Sequence, residues 1–234
     1  MTLLEISTQI APDSLQQAAS TLDASSPVSV FDLATKGGWI MLVLLAFLLV
    51  TIYVFIERVL VIGKAGKEDD SFMNRIKDYM QEDKIEAALA LCRKTDTPSA
   101  RMVAKGISRL GRPTADIMTT VENAGNIEVA QLEKGIALLA STASIAPMMG
   151  FLGTVTGMVR AFMSMASAGA NVNITILSTG IYEALITTVG GLIVGIIALF
   201  AYNYLTTLVK GIMNKLESRI MEFMDILNEP VVKQ

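Results

Sequence analysis

The chain has 234 residues, of which 52% are hydrophobic and only 18% charged, with a mean hydropathy of +0.52 and a formal net charge of −3. That is too apolar for an ordinary soluble domain, and the slight acidic balance gives no basic surface for nucleic acid. With no histidine, and with Cys92 as the single cysteine, the commonest general base, an internal disulfide and a zinc cluster are all excluded. Cys92 suits a buried helical position in a reducing compartment. No nucleophile–base pair and no phosphate loop is present, since Gly111-Arg112-Pro113 reads as a turn. The expectation is a non-enzyme that carries neither cofactor nor metal.

In chain order, residues 1–36 read as a polar tail. Their start, "MTLLEISTQIAPDS", lacks the basic n-region and sustained apolar core of a secretory signal. "SVFDLATKGGW" is compatible with a short interfacial helix that has Trp39 as an aromatic anchor. Residues 37–60 form a first membrane span, bulky all round and suited to facing lipid, with Glu57 and Arg58 at its end. Residues 61–134 form a helical domain. "DKIEAALALCRKT" is amphipathic, and Thr97-Pro98 and Arg112-Pro113 look like helix starts with proline in the first turn. From Pro113 one helix is expected to run unbroken into a second span at 135–160, because Met118, Val121, Gly125, Val129, Leu132, Ile136 and Leu139 form one stripe. A loop at 161–173 leads to a third span, 174–204. Its helix continues through 205–234 with a stripe of Leu205, Leu208, Ile212, Leu216, Ile220, Phe223 and Leu227. At 1.5 Å per residue, a helix from Ile174 to Asn228 is roughly 80 Å long and projects well past a bilayer.

Lysine and arginine set the orientation. One precedes the first span, twelve lie between the first and second, counted from Lys64 to Lys134, Arg160 alone edges the next loop, and four follow the third span. The positive-inside rule then places residues 61–134 and the C-terminal tail in the cytoplasm and the N-terminus outside, in the periplasm if the membrane is a bacterial inner membrane.

The second and third spans are rich in glycine, alanine, serine and threonine. Gly153 with Gly157, and Gly191 with Gly195, have the four-residue spacing that lets membrane helices pack closely. Pro147 interrupts the second span, as a packing kink or as a hinge. Glu183 is the one charge in "GIYEALITTVGGLIVGII". A carboxylate at mid-bilayer costs about 2.5–3.5 kcal/mol on insertion scales, so it must face protein or water. Thr179, Gly180 and Thr187, one turn either side, make a polar stripe with it. Pairing with Arg160 or a backbone group is the structural alternative.

"APMMGFLGTVTGMVRAF" followed by "LSTGIYEALITTVGGLIVGIIA" resembles the MotA/TolQ/ExbB proton-channel family over most of the chain. Pro147, Gly150, Gly153, Thr154 and Gly157 match its first signature, and Gly180, Glu183, Ala184, Leu185, Thr188 and Gly191 its second. The three-span layout resembles ExbB and TolQ rather than four-span MotA, and "KGGWIMLVLL" with "IERVLVIGKA" is similar to ExbB-type chains. The resemblance implies an all-α membrane protein whose second and third helices extend far into the cytoplasm and assemble as a homopentameric ring. It implies a pore that holds a dimer of single-span ExbD-like helices and passes protons to drive work on a TonB-like protein. By motif position Glu183, Thr154 and Thr188 would line that pore. Thr187 stands where the family often has alanine and would extend the hydroxyl surface. Two rival readings remain. A passive membrane scaffold has no use for a buried carboxylate, and a solute transporter would need an inverted repeat and a second broken helix.

Overall fold

The computed structural model describes residues 38–67, 69, 71–167 and 174–228. The polar tail, most of the expected interfacial helix, the heart of the 161–173 loop and the last six residues lie outside the described residues.

The described chain is helical: α1 (Gly38–Ala65), α2 (Phe72–Gln81), α3 (Ile85–Thr95), α4 (Pro98–Ile107), α5 (Thr114–Glu133), α6 (Ile136–Ser167) and α7 (Ile174–Asn228). Three helical stretches, Gly38–Ala65, Thr114–Ser167 and Leu177–Asn228, are long and apolar enough to cross a membrane. The expected single helix from Ile174 to Asn228 forms as one element. Two expectations need correction. Helix α6 runs to Ser167, so the start of the predicted 161–173 loop is helical. The predicted unbroken helix from Pro113 breaks at Lys134–Gly135, where Gly135 has φ +85°, a left-handed conformation that glycine adopts without a Cβ penalty.

Packing divides the chain into two compact units. One gathers residues 38–43, 150–167 and 174–190, and the other residues 44–149 and 191–228. In the second unit, Phe72, Met73 and Ile76 of α2, Ala88 and Cys92 of α3 and Met102, Val103 and Ile107 of α4 are buried with Val121 of α5 and Leu216 and Phe223 of α7 in one apolar core. The α4 start is capped as its sequence predicts: Thr97 Oγ1 accepts the Ala100 N–H at 3.3 Å, with Pro98 in the first turn. Helix α5 begins at Thr114, one residue after Pro113. Gly106 on α4 leaves room for an aromatic ring. A Cβ there would lie 2.5 Å from Phe223 Cε1 and 2.7 Å from Val121 Cγ2.

The stripe positions behave unequally. Val121, Gly125, Leu132, Ile136 and Leu139 are buried, Val129 is half-buried and Met118 is exposed. On α7, Leu205, Ile212, Leu216 and Phe223 are buried, while Leu208, Ile220 and Leu227 are half-buried. Helix α1 exposes Leu42, Leu45, Leu49, Ile52, Tyr53 and Ile56 and buries Leu44, Thr51 and Val54. Its outer face is therefore the apolar surface a lipid-facing helix requires, and its inner face is packed.

Candidate functional site: a hydroxyl pair between two small-residue helices

In the first unit α6 and α7 pack through three tiers of small residues. A Cβ added to Gly153 would lie 2.6 Å from Thr187 Cβ, one on Gly157 2.9 Å from Ala184 Cβ, and one on Gly180 2.6 Å from Ala161 Cβ. Residue numbers rise along α6 as they fall along α7, so the helices run antiparallel. The repeat of four on α6 (153, 157, 161) is the spacing of one helix face. No larger side chain fits these glycine positions without separating the helices. In a bilayer, where lipid tails are as apolar as leucine, close packing of this kind is what holds helices together.

Beside the Gly153–Thr187 tier sit two hydroxyls. Thr154 on α6 and Thr188 on α7 are hydrogen-bonded to each other. Thr188 Oγ1 also donates to the Gly150 carbonyl at 3.1 Å, and Thr154 Oγ1 lies 3.4 Å from the carbonyls of both Gly150 and Ala184. Each hydroxyl has one proton to give and room to accept. With Thr188 donating to Gly150, Thr154 donates to Thr188. Rotating both hydroxyls reverses the chain, with Thr188 donating to Thr154 and Thr154 to a carbonyl. The pair is thus a short relay with two proton orderings, spanning two helices. Both residues are half-buried in the chain.

Thr187 departs from the sequence expectation. It is 3% exposed, lies against Gly153, and donates to the Ala184 carbonyl of its own helix at 2.7 Å. It fills the interface between helices instead of extending a free hydroxyl surface. Gly180 likewise lies against Ala161, so of the expected stripe Gly180 and Thr187 are in the α6 contact, while Thr179 and Glu183 stand at its edge. Glu183 at that edge is exposed. Among the described residues no hydrogen bond or ion pair engages its carboxylate, and Arg160, also exposed, does not pair with it.

In the second unit, α6 continues as helix through Pro147. Proline removes the N–H that would bond the carbonyl four residues earlier, that of Ala143. Gly195 of α7 faces both groups. A Cβ there would lie 2.6 Å from Pro147 Cγ and 3.3 Å from the Ala143 oxygen. The absent side chain admits the proline ring. Gly191 is buried in this unit, as Gly150 is in the first.

Two further polar arrangements went unforeseen, both in the second unit. Glu128 is 8% exposed on α5, and Arg101 of α4 grips it with two bonds, Nε to Oε1 at 2.9 Å and Nη2 to Oε2 at 2.6 Å. Arg101 Nη1 also bonds Asp96 Oδ1 at 2.8 Å and the Asp96 carbonyl at 2.9 Å, and Asp96 ends α3 with φ +45°. The bond to Glu128, ahead of that to Asp96, raises the Arg101 pKa further above its already high value. The signal was present: position 128 falls on the buried face with 121, 125 and 132, an acid where an apolar residue belongs. Arg58, near the end of α1, is the other case. It pairs with Glu57 at 2.9 Å and donates from Nη1 to the Gln131 carbonyl of α5 at 3.3 Å. A residue that follows an apolar span reads as a boundary marker, and its partner 73 residues away leaves no local trace. Burial pushes the Cys92 thiol up to about 11. Among the described residues no three histidine, cysteine, aspartate or glutamate side chains converge on a common point for a metal.

Three long apolar helices, two of them sealed by glycine and bridged by a hydroxyl pair, define a multi-pass helical membrane protein with polar groups held at the helix interface. The pattern of the MotA/TolQ/ExbB proton channel family matches residues 94–218, and this chain belongs to that family. It is 30% identical over 200 residues to the Tol-Pal system protein TolQ of Haemophilus influenzae, covering 81% of this chain and 87% of the relative. It is 28% identical over 200 residues to the putative biopolymer transport protein ExbB-like 1 of Synechocystis, covering 84% and 78%. A shorter match of 34% over 91 residues, 39% of this chain and 36% of the relative, is to the biopolymer transport protein ExbB of Xanthomonas campestris.

Proposed function

We propose that this chain is the ring-forming subunit of an ExbB–ExbD-type motor in a bacterial inner membrane. Five copies surround a dimer of single-span ExbD-like helices, and proton flow along their contact is converted into work on a TonB-like protein that energises outer-membrane uptake. The N-terminus lies in the periplasm, and α2–α5 with the end of α7 lie in the cytoplasm, following the excess of lysine and arginine after α1. The protein performs no covalent catalysis of its own. It lowers the barrier to moving a proton and couples that movement to motion of the partner.

The observation that carries this reading is the polar edge of the α6–α7 pair. Thr154 and Thr188 form a reversible hydroxyl relay, and Glu183, in the same family signature, has no partner among the described residues. A passive scaffold gains nothing from a carboxylate left unneutralised in an apolar helix, where it is costly. A proton path uses both groups: the carboxylate attracts or accepts the proton, and the hydroxyls hand it on.

A TolQ-type role in envelope maintenance is the second reading, favoured by the 87% coverage of the TolQ relative. Deleting the gene separates the two. Loss of energised uptake of a ferric siderophore, with detergent resistance intact, is the expected result. Detergent sensitivity with normal uptake would instead assign the chain to a Tol-type system.

A further inference from the structure

The joint between α5 and α6 breaks where the sequence favours continuity. Residues 130–134, Ala-Gln-Leu-Glu-Lys, are strong helix formers, and no proline lies near them. Leu132 on one side of the break and Ile136 and Leu139 on the other are all buried, in the phase of one uninterrupted stripe. An unbroken helix would therefore bury the same face.

Two features hold the break open. Gly135 takes φ +85°. Arg58 then reaches the end of α5 and donates to the Gln131 carbonyl, one of the last four carbonyls that a helix end leaves without an intrahelical N–H. A cation there also complements the helix dipole. Closing the helix would give that carbonyl an N–H partner of its own and release Arg58. The arginine is not fully satisfied in the broken form either, because its Nε is buried without a hydrogen-bond partner. The two forms thus exchange one set of incomplete polar contacts for another, while the stripe of Leu132, Ile136 and Leu139 keeps its phase.

We propose that Lys134–Gly135 is a two-state joint. In the broken form Arg58 caps α5, and in the closed form α5 and α6 are one helix. This goes beyond the functional reading above and does not depend on it. The joint lets α5, tied to α4 by Arg101 and Glu128, change its direction against the start of α6 without altering which residues α6 buries. Arg58 acts as a positioning residue, selecting the broken form through a backbone carbonyl.

Hydrogen exchange on the full-length protein in detergent tests the proposal, read by mass spectrometry over the peptides that cover residues 130–140. The start of α6 leaves its first amides without intrahelical acceptors, whereas a closed helix protects them. Leu138 N–H already donates to the Gly135 carbonyl at 3.1 Å, so Arg58→Gln, which removes the cap, should slow exchange of the amides at 135–137 by about tenfold or more, a shift of about 1.4 kcal/mol in the opening equilibrium. Gly135→Ala should do the same by another route. A Cβ at 135 meets nothing closer than Arg58 Nε at 3.6 Å, so the substitution acts through φ rather than through a clash. If Arg58 were only a structural cap for a joint with a single form, its loss would leave exchange at 135–137 unchanged or make it faster, and either result overturns the proposal. Should Arg58→Gln loosen the helical core, seen as faster exchange across residues 72–107, Gly135→Ala decides alone: protection gained supports the joint, and protection unchanged or lost refutes it.

Discussion

Thr154 and Thr188 have two protons between them and, with two carbonyls and each other's oxygens, more acceptors than protons, and that surplus is what makes the pair reversible. Valine is close in shape to threonine but can neither give nor take the proton. Membrane hydrogen bonds between helices average about 0.6 kcal/mol, and the backbone carbonyls concerned also serve the helix, so Thr154→Val and Thr188→Val should leave the assembly intact. If the relay lies on the proton path, each variant should lower energised uptake by about tenfold, the rate cost of about 1.4 kcal/mol in the limiting step. Siderophore uptake measured beside the intact oligomer mass checks this, and normal uptake in both variants would reduce the pair to packing. Gly153 has a different role. A side chain there would strike Thr187, so Gly153→Val should destabilise the protein by about 1–3 kcal/mol, seen as a lower midpoint of thermal unfolding in detergent. Thr187, which the sequence pattern alone groups with the pore hydroxyls, is the counterpart that fills the space Gly153 leaves. A single sequence shows a hydroxyl on a helix face but not which neighbouring glycine it meets, so the packing of Thr187 against Gly153 was not legible in it.

At the scale of elements, the legible features were those with local causes. Uninterrupted apolar runs marked α1, α6 and α7, and Thr97-Pro98 marked the start of α4. The break at Gly135 was not legible because the apolar stripe passes through it in phase, and because Arg58, which caps the exposed end, comes from α1. The Arg101–Glu128 pair was hidden in the same way, by a partner 27 residues away. That pair makes its own prediction. Glu128 is buried and Arg101 is its cation, so Arg101→Ala leaves a carboxylate with neither water nor a partner. The expected cost is about 1–3 kcal/mol, moderated by the partial exposure of Arg101 itself, and thermal unfolding of the purified protein measures it. Arg101→Lys should recover only part of the loss, because a lysine cannot supply the two parallel bonds. Cys92, packed between α3 and the core, has its thiol raised from 9.0 to about 11 by burial. The thiolate is the reactive form, so alkylation by iodoacetamide at pH 8 should be slow in the folded protein and rapid once it is unfolded. Fast labelling of the folded form would contradict the buried placement.

For the whole molecule, the chain leaves surface that water does not suit. Along α5 and α7 in the second unit, Met118, Met213 and Met221 are exposed around a groove whose rim carries Glu122 and Glu217. In the first unit Val155, Val159, Phe162, Leu185 and Val189 are exposed as well. On the proposed function, lipid covers the part of this surface within the bilayer and neighbouring chains cover the rest. Native mass spectrometry of the detergent-solubilised protein should therefore give a mass of five chains of 25.1 kDa each; a stable monomer would remove the basis for a pore. The central claim is that the assembled ring uses the carboxylate of Glu183 to couple proton movement to uptake. Glu183→Gln keeps the size and hydrogen-bonding capacity of the side chain and removes both its charge and its titratable proton. The measurement is ferric-siderophore uptake in cells that lack the chromosomal copy and carry either the original gene or the Glu183→Gln variant, with a five-chain assembly verified for each. The account predicts uptake with the original gene and almost none with glutamine. Full uptake supported by the glutamine ring would contradict it.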